Sequence, residues 1–110
     1  MNIPGAMAAA LVNMPSGMAL GKAGNAAGLD LDAAAAGNTE VVRAKLNTMQ
    51  SLGIKGEIED ILITLNTQYH IIHPLGLDTT VFLYLVLNKA QANLAMARRT
   101  MQKIEGALVV

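Results

Sequence analysis

The sequence contains no cysteine and no tryptophan, and only two tyrosines and one phenylalanine occur in its 110 residues. The absence of cysteine excludes disulfide bonds, thiol catalysis and cysteine-ligated zinc, and it is compatible with a reducing cytoplasm. Few aromatic rings are available for base stacking, and eight basic residues are balanced by eight acidic ones. Nucleic-acid binding therefore has little support. We expect a cytoplasmic protein that does not bind nucleic acid.

Long hydrophobic runs are also lacking. The longest, Ala6–Val12 and Val81–Leu87, are far shorter than the roughly 20 residues that a membrane span requires. No Lys or Arg precedes Lys22, so the start of the chain does not resemble a signal peptide. Hydrophobic residues make up 53% of the chain and charged residues only 15%. These values predict one domain over residues 1–110 that covers part of its surface with a partner.

The first 28 residues predict a β-hairpin. Ala6–Val12 and Met18–Leu20 are apolar, and the intervening Asn13–Gly17 contains Pro and Gly, which favour turns. The alanine-rich composition leaves a helix at Ala6–Val12 as an alternative. Residues 21–28, rich in Gly, Ala and Asn, are expected to form a linker.

A long helix is predicted next, capped at its start by Asp30 or Asp32 and stopped by Gly53 after Leu52. Two stripes lie on opposite sides of this helix, given its period of 3.6 residues. One should face the core and consists of Ala35, Val42, Leu46 and Met49. The other consists of the small residues Ala33, Gly37, Ala44 and Ser51, flanked by Val41 and Leu52. A helix with two such faces is expected to contact its own core and a second partner.

The rest of the chain predicts three strands and a second helix. Ile58–Leu65 and Gln68–Leu75 flank Asn66-Thr67 as a hairpin that pairs Ile63 with His70, Ile61 with Ile72, Leu62 with Ile71 and Asp60 with His73. Val81–Leu87 is apolar throughout, as in a central strand. Asn88 is expected to cap a helix with the stripe Leu94, Ala97, Met101, Ile104 and Leu108. The predicted fold class is α+β, with order ββαβββα and a five-stranded antiparallel sheet covered by helices on both faces.

No set of residues predicts catalysis, a metal site or a cofactor. The segment Gly17–Ala23 has three residues between its glycines and no Ser or Thr after Lys22, so it does not match a phosphate-binding loop. His70 and His73 should face opposite sides of a strand and cannot share a metal ion. We interpret His73 with Asp60 as a structural pair. No enzymatic activity is expected.

Three further groups have ordinary structural explanations. Glu57, Glu59 and Asp60 are interpreted as charges that discourage wrong edge pairing, although an acid/base pair is conceivable. Met7, Met14 and Met18 fit packing better than copper binding. The basic patch Arg98, Arg99 and Lys103 fits a solvated helix face.

Seven stretches, in this order of elements, resemble the Roadblock/dynein light chain family, particularly its bacterial members. They are Ala8–Val12, Ser16–Met18, Ala34–Val42, Glu59–Leu65, Gln68–Ile72, Phe82–Leu87 and Ala92–Arg99. The resemblance extends from Ala6 to about Ile104 and concerns pattern and order, without a catalytic signature. Family members usually carry a helix before the first strand, whereas only Met1–Gly5 precede it here. We therefore expect a short or missing N-terminal helix and one less-covered sheet face.

The resemblance implies a homodimer with a longin- or profilin-like fold. The family's dimers join the third strands of two subunits and place the long middle helices side by side, which implies Glu57–Leu65 as the pairing edge. The implied dimer contacts are Ala33, Gly37, Val41, Ala44, Thr48, Ser51, Glu59, Ile61 and Ile63.

The resemblance also implies a function, because family members regulate or support Ras-like GTPases or serve as adapter light chains of dynein. The expected function is a non-enzymatic scaffold or regulator that binds a small Ras-like GTPase, with a possible GTPase-activating or adapter role. The residues expected to contact that partner are Glu40, Arg43, Asn47 and Gln50. The alternative is a sensor or carrier of small molecules, with its pocket between sheet and helix where the missing first helix would lie.

Overall fold

The computed structural model describes residues 3–24, 28–75 and 80–107, and it confirms the predicted order of elements. Five strands form one antiparallel sheet in the order β2-β1-β5-β4-β3. The elements are β1 (Ala6–Asn13), β2 (Met18–Gly24), α1 (Leu31–Ser51), β3 (Ile61–Thr64), β4 (Gln68–Pro74), β5 (Val81–Asn88) and α2 (Leu94–Ala107).

The first hairpin is confirmed, and the alternative helix does not form. Its turn is closed by the Asn13 side chain, whose Oδ1 accepts a hydrogen bond from the backbone N–H of Ser16 at 3.1 Å. Gly17 has a φ of +71°, which a residue with a Cβ rarely adopts. Strand β2 continues to Gly24, so the expected linker over residues 21–28 is wrong for its first four residues. Alanine and glycine in that segment still allow pairing with β1, from Ala8 to Leu11.

Of the two candidate caps for α1, Asp30 is the one used. Its carboxylate accepts hydrogen bonds from the backbone N–H groups of Asp32 and Ala33 at 3.0 and 3.2 Å, which satisfies two donors at the helix start. The helix ends as predicted, with Gly53 at a φ of +69°. Leu46, predicted to be in the core, is instead 42% exposed. It borders an open hollow, so water reaches its side chain.

Helices cover both faces of the sheet, as predicted, and each face has its own hydrophobic cluster. The cluster on the α1 side contains Ala8, Ala10, Val12, Met14, Ala35, Val42, Ile72, Phe82, Tyr84 and Val86. The cluster on the α2 side contains Ile3, Ile71, Leu85, Leu87, Ala97 and Met101. Alternate residues of each strand therefore point to different helices, as the two-residue period of a strand requires.

The β3–β4 register is confirmed for three of the four predicted pairs, Ile61 with Ile72, Leu62 with Ile71 and Ile63 with His70. Strand β3 begins at Ile61, so the predicted start at Ile58 is wrong. Continued at the same register, Glu59 would lie opposite Pro74, which has no N–H to donate and disfavours further pairing.

The predicted pair of Asp60 with His73 is also wrong, because each side chain bonds a residue of α2. The Asp60 carboxylate accepts two hydrogen bonds from the Arg98 guanidinium, at 2.9 and 3.3 Å. His73 Nε2 lies 3.0 Å from an oxygen of Glu105. These two contacts hold one side of α2 over β3 and β4. They could not be anticipated from strand register alone, because they depend on where the last helix lies.

The start of α2 differs from the prediction. Asn93 caps it, since its Oδ1 accepts a hydrogen bond from the N–H of Met96 at 3.1 Å. Asn88 ends β5 instead, and its side chain accepts a hydrogen bond from Ala90 N–H in the following turn. Ile104 is 36% exposed, and Leu108 lies outside the described residues.

His70 belongs to a chain of hydrogen bonds under α1, on the opposite side of the sheet from His73. Its Nε2 lies 2.9 Å from Gln68 Oε1, and its Nδ1 lies 2.9 Å from the hydroxyl of Tyr84. A neutral ring protonated at Nε2 satisfies both contacts, as donor to Gln68 and acceptor from Tyr84. Tyr84 in turn bonds the Asn38 side chain of α1. Burial lowers the pKa of His70 from 6.5 and raises the pKa of Tyr84.

The lowered pKa of His70 predicts a loss of stability in mild acid. As pH falls through 6.5, the unfolded state binds a proton at His70 more readily than the folded state does, so the free energy of unfolding decreases. We expect His70→Gln to reduce this dependence, because glutamine does not titrate. Urea unfolding of both proteins from about pH 7.5 to about pH 5.5 measures it. Equal pH slopes in the two proteins would contradict the prediction.

Candidate interaction surface on α1 and β3

The face of α1 that points away from the sheet is built from small residues. Ala35, Thr39 and Val42 are buried toward the sheet. The opposite stripe is exposed along its whole length and consists of Ala33, Gly37, Ala44 and Ser51. A Cβ added at Gly37 would meet none of the described atoms within 4 Å. The glycine therefore does not serve packing against any part of the subunit that the structure describes, although it costs the helix about 1 kcal/mol relative to alanine.

The two flanks of this stripe face different parts of the sheet. Asp32 binds Lys22 of β2 at 3.0 Å, which places one flank over the first hairpin. Asn38, on the other flank, bonds Tyr84 of β5. By the 100° step per residue, Val41 and Thr48 lie on the Asn38 side of the stripe. Val41 is 38% exposed, so an apolar side chain borders the small residues on the side nearer β4 and β3.

Strand β3 forms an edge of the sheet, with β4 as its one neighbour among the described strands. Ile61 and Ile63 point to the α1 side, since they lie opposite Ile72 and His70. Both are only partly buried, and Glu59 is exposed in the segment before the strand. The edge is therefore short and has apolar side chains that the subunit's own helix does not fully cover.

The four residues expected to contact a partner are exposed on α1. The structure brings Glu40 and Arg43 together, with a nitrogen–oxygen distance of 2.9 Å. The Arg43 guanidinium also donates to the carbonyl oxygens of Met14 and Pro15, at 2.7 and 3.3 Å. Arg43 thus ties α1 to the turn of the first hairpin in addition to facing solvent. Asn47 lies one turn beyond it, and Gln50 follows on the same flank.

A hollow lies beside this surface, between the C-terminal half of α1 and the segment before β3. It has a volume of about 180 Å³ and is lined by Met14, Val42, Leu46, Gly56, Glu57, Ile58, Pro74 and Leu75. Pockets for drug-sized ligands usually measure about 300–1,000 Å³. The hollow is smaller than that and lies on the α1 side, so it gives little support to the sensor alternative.

The described residues contain no candidate metal site and no helix that could span a membrane. Within residues 3–24, 28–75 and 80–107, no three His, Cys, Asp or Glu side chains are grouped so that they could hold a metal ion. Neither described helix is long and apolar enough to cross a bilayer. Met18 of β2, interpreted from the sequence as a packing residue, is instead 66% exposed, and Leu20 is 60% exposed. Both lie on an edge strand, and the register shift between Leu11 and Val12 makes Leu20 the extra residue of a β-bulge.

No protein-family model matches the sequence, and no curated protein does. Solved structures do match. The Roadblock/LC7 domain from Streptomyces avermitilis has a TM-score of 0.84 at 14% identity, covering 97% of this chain and 85% of that one. Myxococcus xanthus MglB has a TM-score of 0.82 at 18% identity, covering 94% and 80%. The gliding protein MglB from Thermus thermophilus has a TM-score of 0.77 at 18% identity, covering 96% and 76%.

These matches extend over nearly the whole of this chain, and they agree with the element order and the strand order of the sheet. Identities of 14–18% establish a shared fold. The chain has the Roadblock fold.

Proposed function

We propose that the protein is a non-enzymatic, homodimeric scaffold that binds and regulates a small Ras-like GTPase. The observation that carries the proposal is the exposed small-residue face of α1 beside the uncovered edge at β3. An apolar and small-residue surface of this kind is typical of an interface when it borders an unpaired strand. The resemblance to Roadblock proteins and the fold shared with MglB support the partner class.

In the proposed dimer, the β3 edges of two subunits lie together and extend the sheet. Ile61 and Ile63 are then covered by the second subunit, and the two α1 helices run side by side through the small-residue stripe and its Val41–Thr48 flank. Gly37 and Ala44 allow the helix backbones to approach closely, which larger side chains would prevent. Glu59, just before β3, would lie at the rim of this interface.

The proposed GTPase site is the polar flank formed by Glu40, Arg43, Asn47 and Gln50. These side chains lie beside the dimer stripe, so two copies of the flank would be presented on one surface of the dimer. Asn47 and Gln50 are the most suitable positions for a test, because Arg43 also holds the first hairpin. No group in the flank is assigned a catalytic role.

Gly37→Leu tests the dimer. We expect it to convert the dimer to a monomer, since leucine would separate the two helices, while the subunit keeps its fold because no residue in the described ranges lies within 4 Å of a Cβ at that position. Sedimentation-velocity ultracentrifugation gives the oligomeric state, and circular dichroism checks the fold.

Gly106→Leu is a matched control for this test. Gly106 lies in α2, and an added Cβ there also meets no described atom within 4 Å. Both substitutions therefore raise helix propensity by a similar amount, about 1 kcal/mol at most. A Gly37→Leu protein that remains dimeric, or equal dissociation of both variants, would refute the proposed interface.

The proposed GTPase partner is tested by affinity capture from native lysate in GDP or in a non-hydrolysable GTP analogue, with mass spectrometry of the bound proteins. We expect nucleotide-dependent recovery of a Ras-like GTPase by the wild type. Asn47→Glu combined with Gln50→Glu should reduce it by about tenfold or more, because charges replace neutral contacts, without dissociating the dimer. Arg99→Glu combined with Gln102→Glu makes the control on α2. Recovery of no Ras-like GTPase in either nucleotide would contradict the proposal.

A further inference from the structure

Each face of the sheet is wider than one helix. Five strands spaced by about 4.8 Å span roughly 24 Å including their edges, whereas an α-helix with side chains is about 10 Å across. Two helices side by side are therefore needed to cover one face completely. In the part of the chain that the structure describes, the second face carries α2 alone.

Helix α2 lies toward the β3 side of its face. Arg98 and Glu105 on one flank of the helix bond Asp60 and His73. Below the helix, residues of β4 and β5 are 0–2% exposed, namely Ile71, Leu85 and Leu87. The other half of the face, over β1 and β2, is left uncovered by the described residues. We call this region the open sheet face, and it consists of Ala9, Leu11, Met18, Ala23 and Leu83.

The membership of the open sheet face follows from the strand register. Ala8, Ala10 and Val12 of β1 point toward α1 and are 0–2% exposed, so the alternate residues Ala9 and Leu11 point toward α2 and are only partly buried. In β2, Ala19 packs toward α1, and Met18 lies opposite Asn13, the residue after Val12, so Met18 points to the α2 side. Leu20 is the extra residue of a β-bulge between Ala19 and Gly21, so strand alternation assigns it to neither face.

The open sheet face is a shallow apolar trough. A depression of about 200 Å³ runs over its centre and is lined by Ala9, Ala10, Leu11, Gly21, Lys22, Ala23 and Leu83. The ammonium group of Lys22 binds Asp32 of α1 on the opposite side of the sheet, so the side chains that point into the depression are uncharged. Helix α2 forms one wall of the trough. By the helical period, the flank that faces the trough, opposite Arg98, carries Met96, Thr100 and Ile104. Met96 is 47% exposed and Ile104 36% exposed.

The dimensions of the trough fit a helix. Strand β1 has eight residues and spans about 27 Å, the length of a helix of about 18 residues. A single helix placed beside α2 would also have the width of the uncovered half. By the helical period, Arg99 and Lys103 lie at the solvent side of the α2 flank that carries Met96. Acidic residues on the side of a bound helix that faces α2 would therefore be favoured.

A second copy of this chain is a poor occupant for the trough. The apolar stripe of its α2 is already buried, with Ala97 and Met101 both 0% exposed. The outward face of its α1 is assigned to the dimer proposed above. Neither described helix therefore has a free apolar stripe of the required length.

We propose that the open sheet face binds an amphipathic helix of another polypeptide, with an apolar stripe against β1 and β2 and acidic residues on the flank nearest α2. This site is distinct from the dimer surface and from the proposed GTPase flank, which lie on the other side of the sheet. Its test is independent of both.

The test uses a fluorescein-labelled designed peptide of about 18 residues, with Leu and Ala at i, i+3, i+4 and i+7 and Glu along one flank. A second peptide has Lys in place of Glu, and a third has the first peptide's composition in scrambled order. Fluorescence anisotropy measures binding to the full chain. We expect saturable binding of the acidic peptide, weaker binding of the basic one and none of the scrambled one.

Met18→Glu is the diagnostic variant. Met18 is 66% exposed, so the variant should fold, which its thermal unfolding midpoint checks. It should weaken binding about tenfold or more, because the helix would bury an unpaired carboxylate. Ile54→Glu introduces the same charge at a position that is 50% exposed, in the segment between α1 and β3, and should leave binding unchanged.

The methionine methyl groups locate the peptide. In ¹³C-methyl spectra we expect shifts at Met18 and Met96, on either side of the trough, and none at Met14, which lies in the α1-side cluster. Equal binding of all three peptides, equal losses in Met18→Glu and Ile54→Glu, or shifts at Met49 of α1 without Met18 would each overturn the proposal. Absence of peptide binding together with Met18-dependent binding to phosphatidylserine vesicles would overturn it in favour of a membrane surface.

Discussion

The structure depends on one constraint, which is that a sheet apolar on both faces must be covered on both faces. Strand β1 shows how the sequence meets it. Ala8, Ala10 and Val12 are almost completely buried toward α1, and their small side chains let that helix approach the sheet closely. Strand β5 is apolar at successive positions from Phe82 to Leu87, so it supplies both clusters at once. If either helix were absent, the hydrophobic cluster beneath it would be exposed to water, at a free-energy cost of about 25 cal/mol for each Å² of apolar surface.

The two helices cover opposite halves of the sheet. Helix α1 lies against β1 and β2, and its Arg43 and Asp32 are bonded to the hairpin those strands form. Helix α2 is held toward β3 and β4 by Asp60 and by His73. Each helix is thus placed by polar contacts on one flank, while its buried stripe supplies most of the stabilisation. Exposed ion pairs such as Lys22 with Asp32 contribute little by themselves, but they favour one position of a helix over others of similar hydrophobic contact.

Most of the fold could be predicted from the sequence because its elements have clear periods. A hairpin loop centred on Asn66-Thr67 predicted the register of β3 with β4, and the apolar stripe through Ala97 and Met101 predicted α2. What failed involved contacts between elements that the chain separates. Asp60 was assigned to His73 because the two would be neighbours in an extended ladder, whereas Arg98 and Glu105 compete for them from a helix 30 to 40 residues away in sequence. Leu46 has the correct helical phase for burial, but phase does not tell where the underlying sheet ends. The candidate dimer face could be predicted from the helical period, as the helix itself could. The exposure of Met18 could not, because it depends on which half of the sheet α2 occupies.

Among the described residues, the diagonal placement of the two helices leaves two uncovered regions, one on each side of the sheet. The region on the α1 side lies at β3 and borders an edge that can pair with another strand, which favours a partner of the same fold. The region on the α2 side lies over β1 and β2, three to four strands away across the sheet. Because about 5 Å separates neighbouring strands, occupants of these two regions would not touch within one subunit. A protein arranged in this way can dimerise through one region while it binds a different polypeptide through the other. That separation is what a scaffold requires, since assembly of the dimer neither blocks nor consumes the second surface.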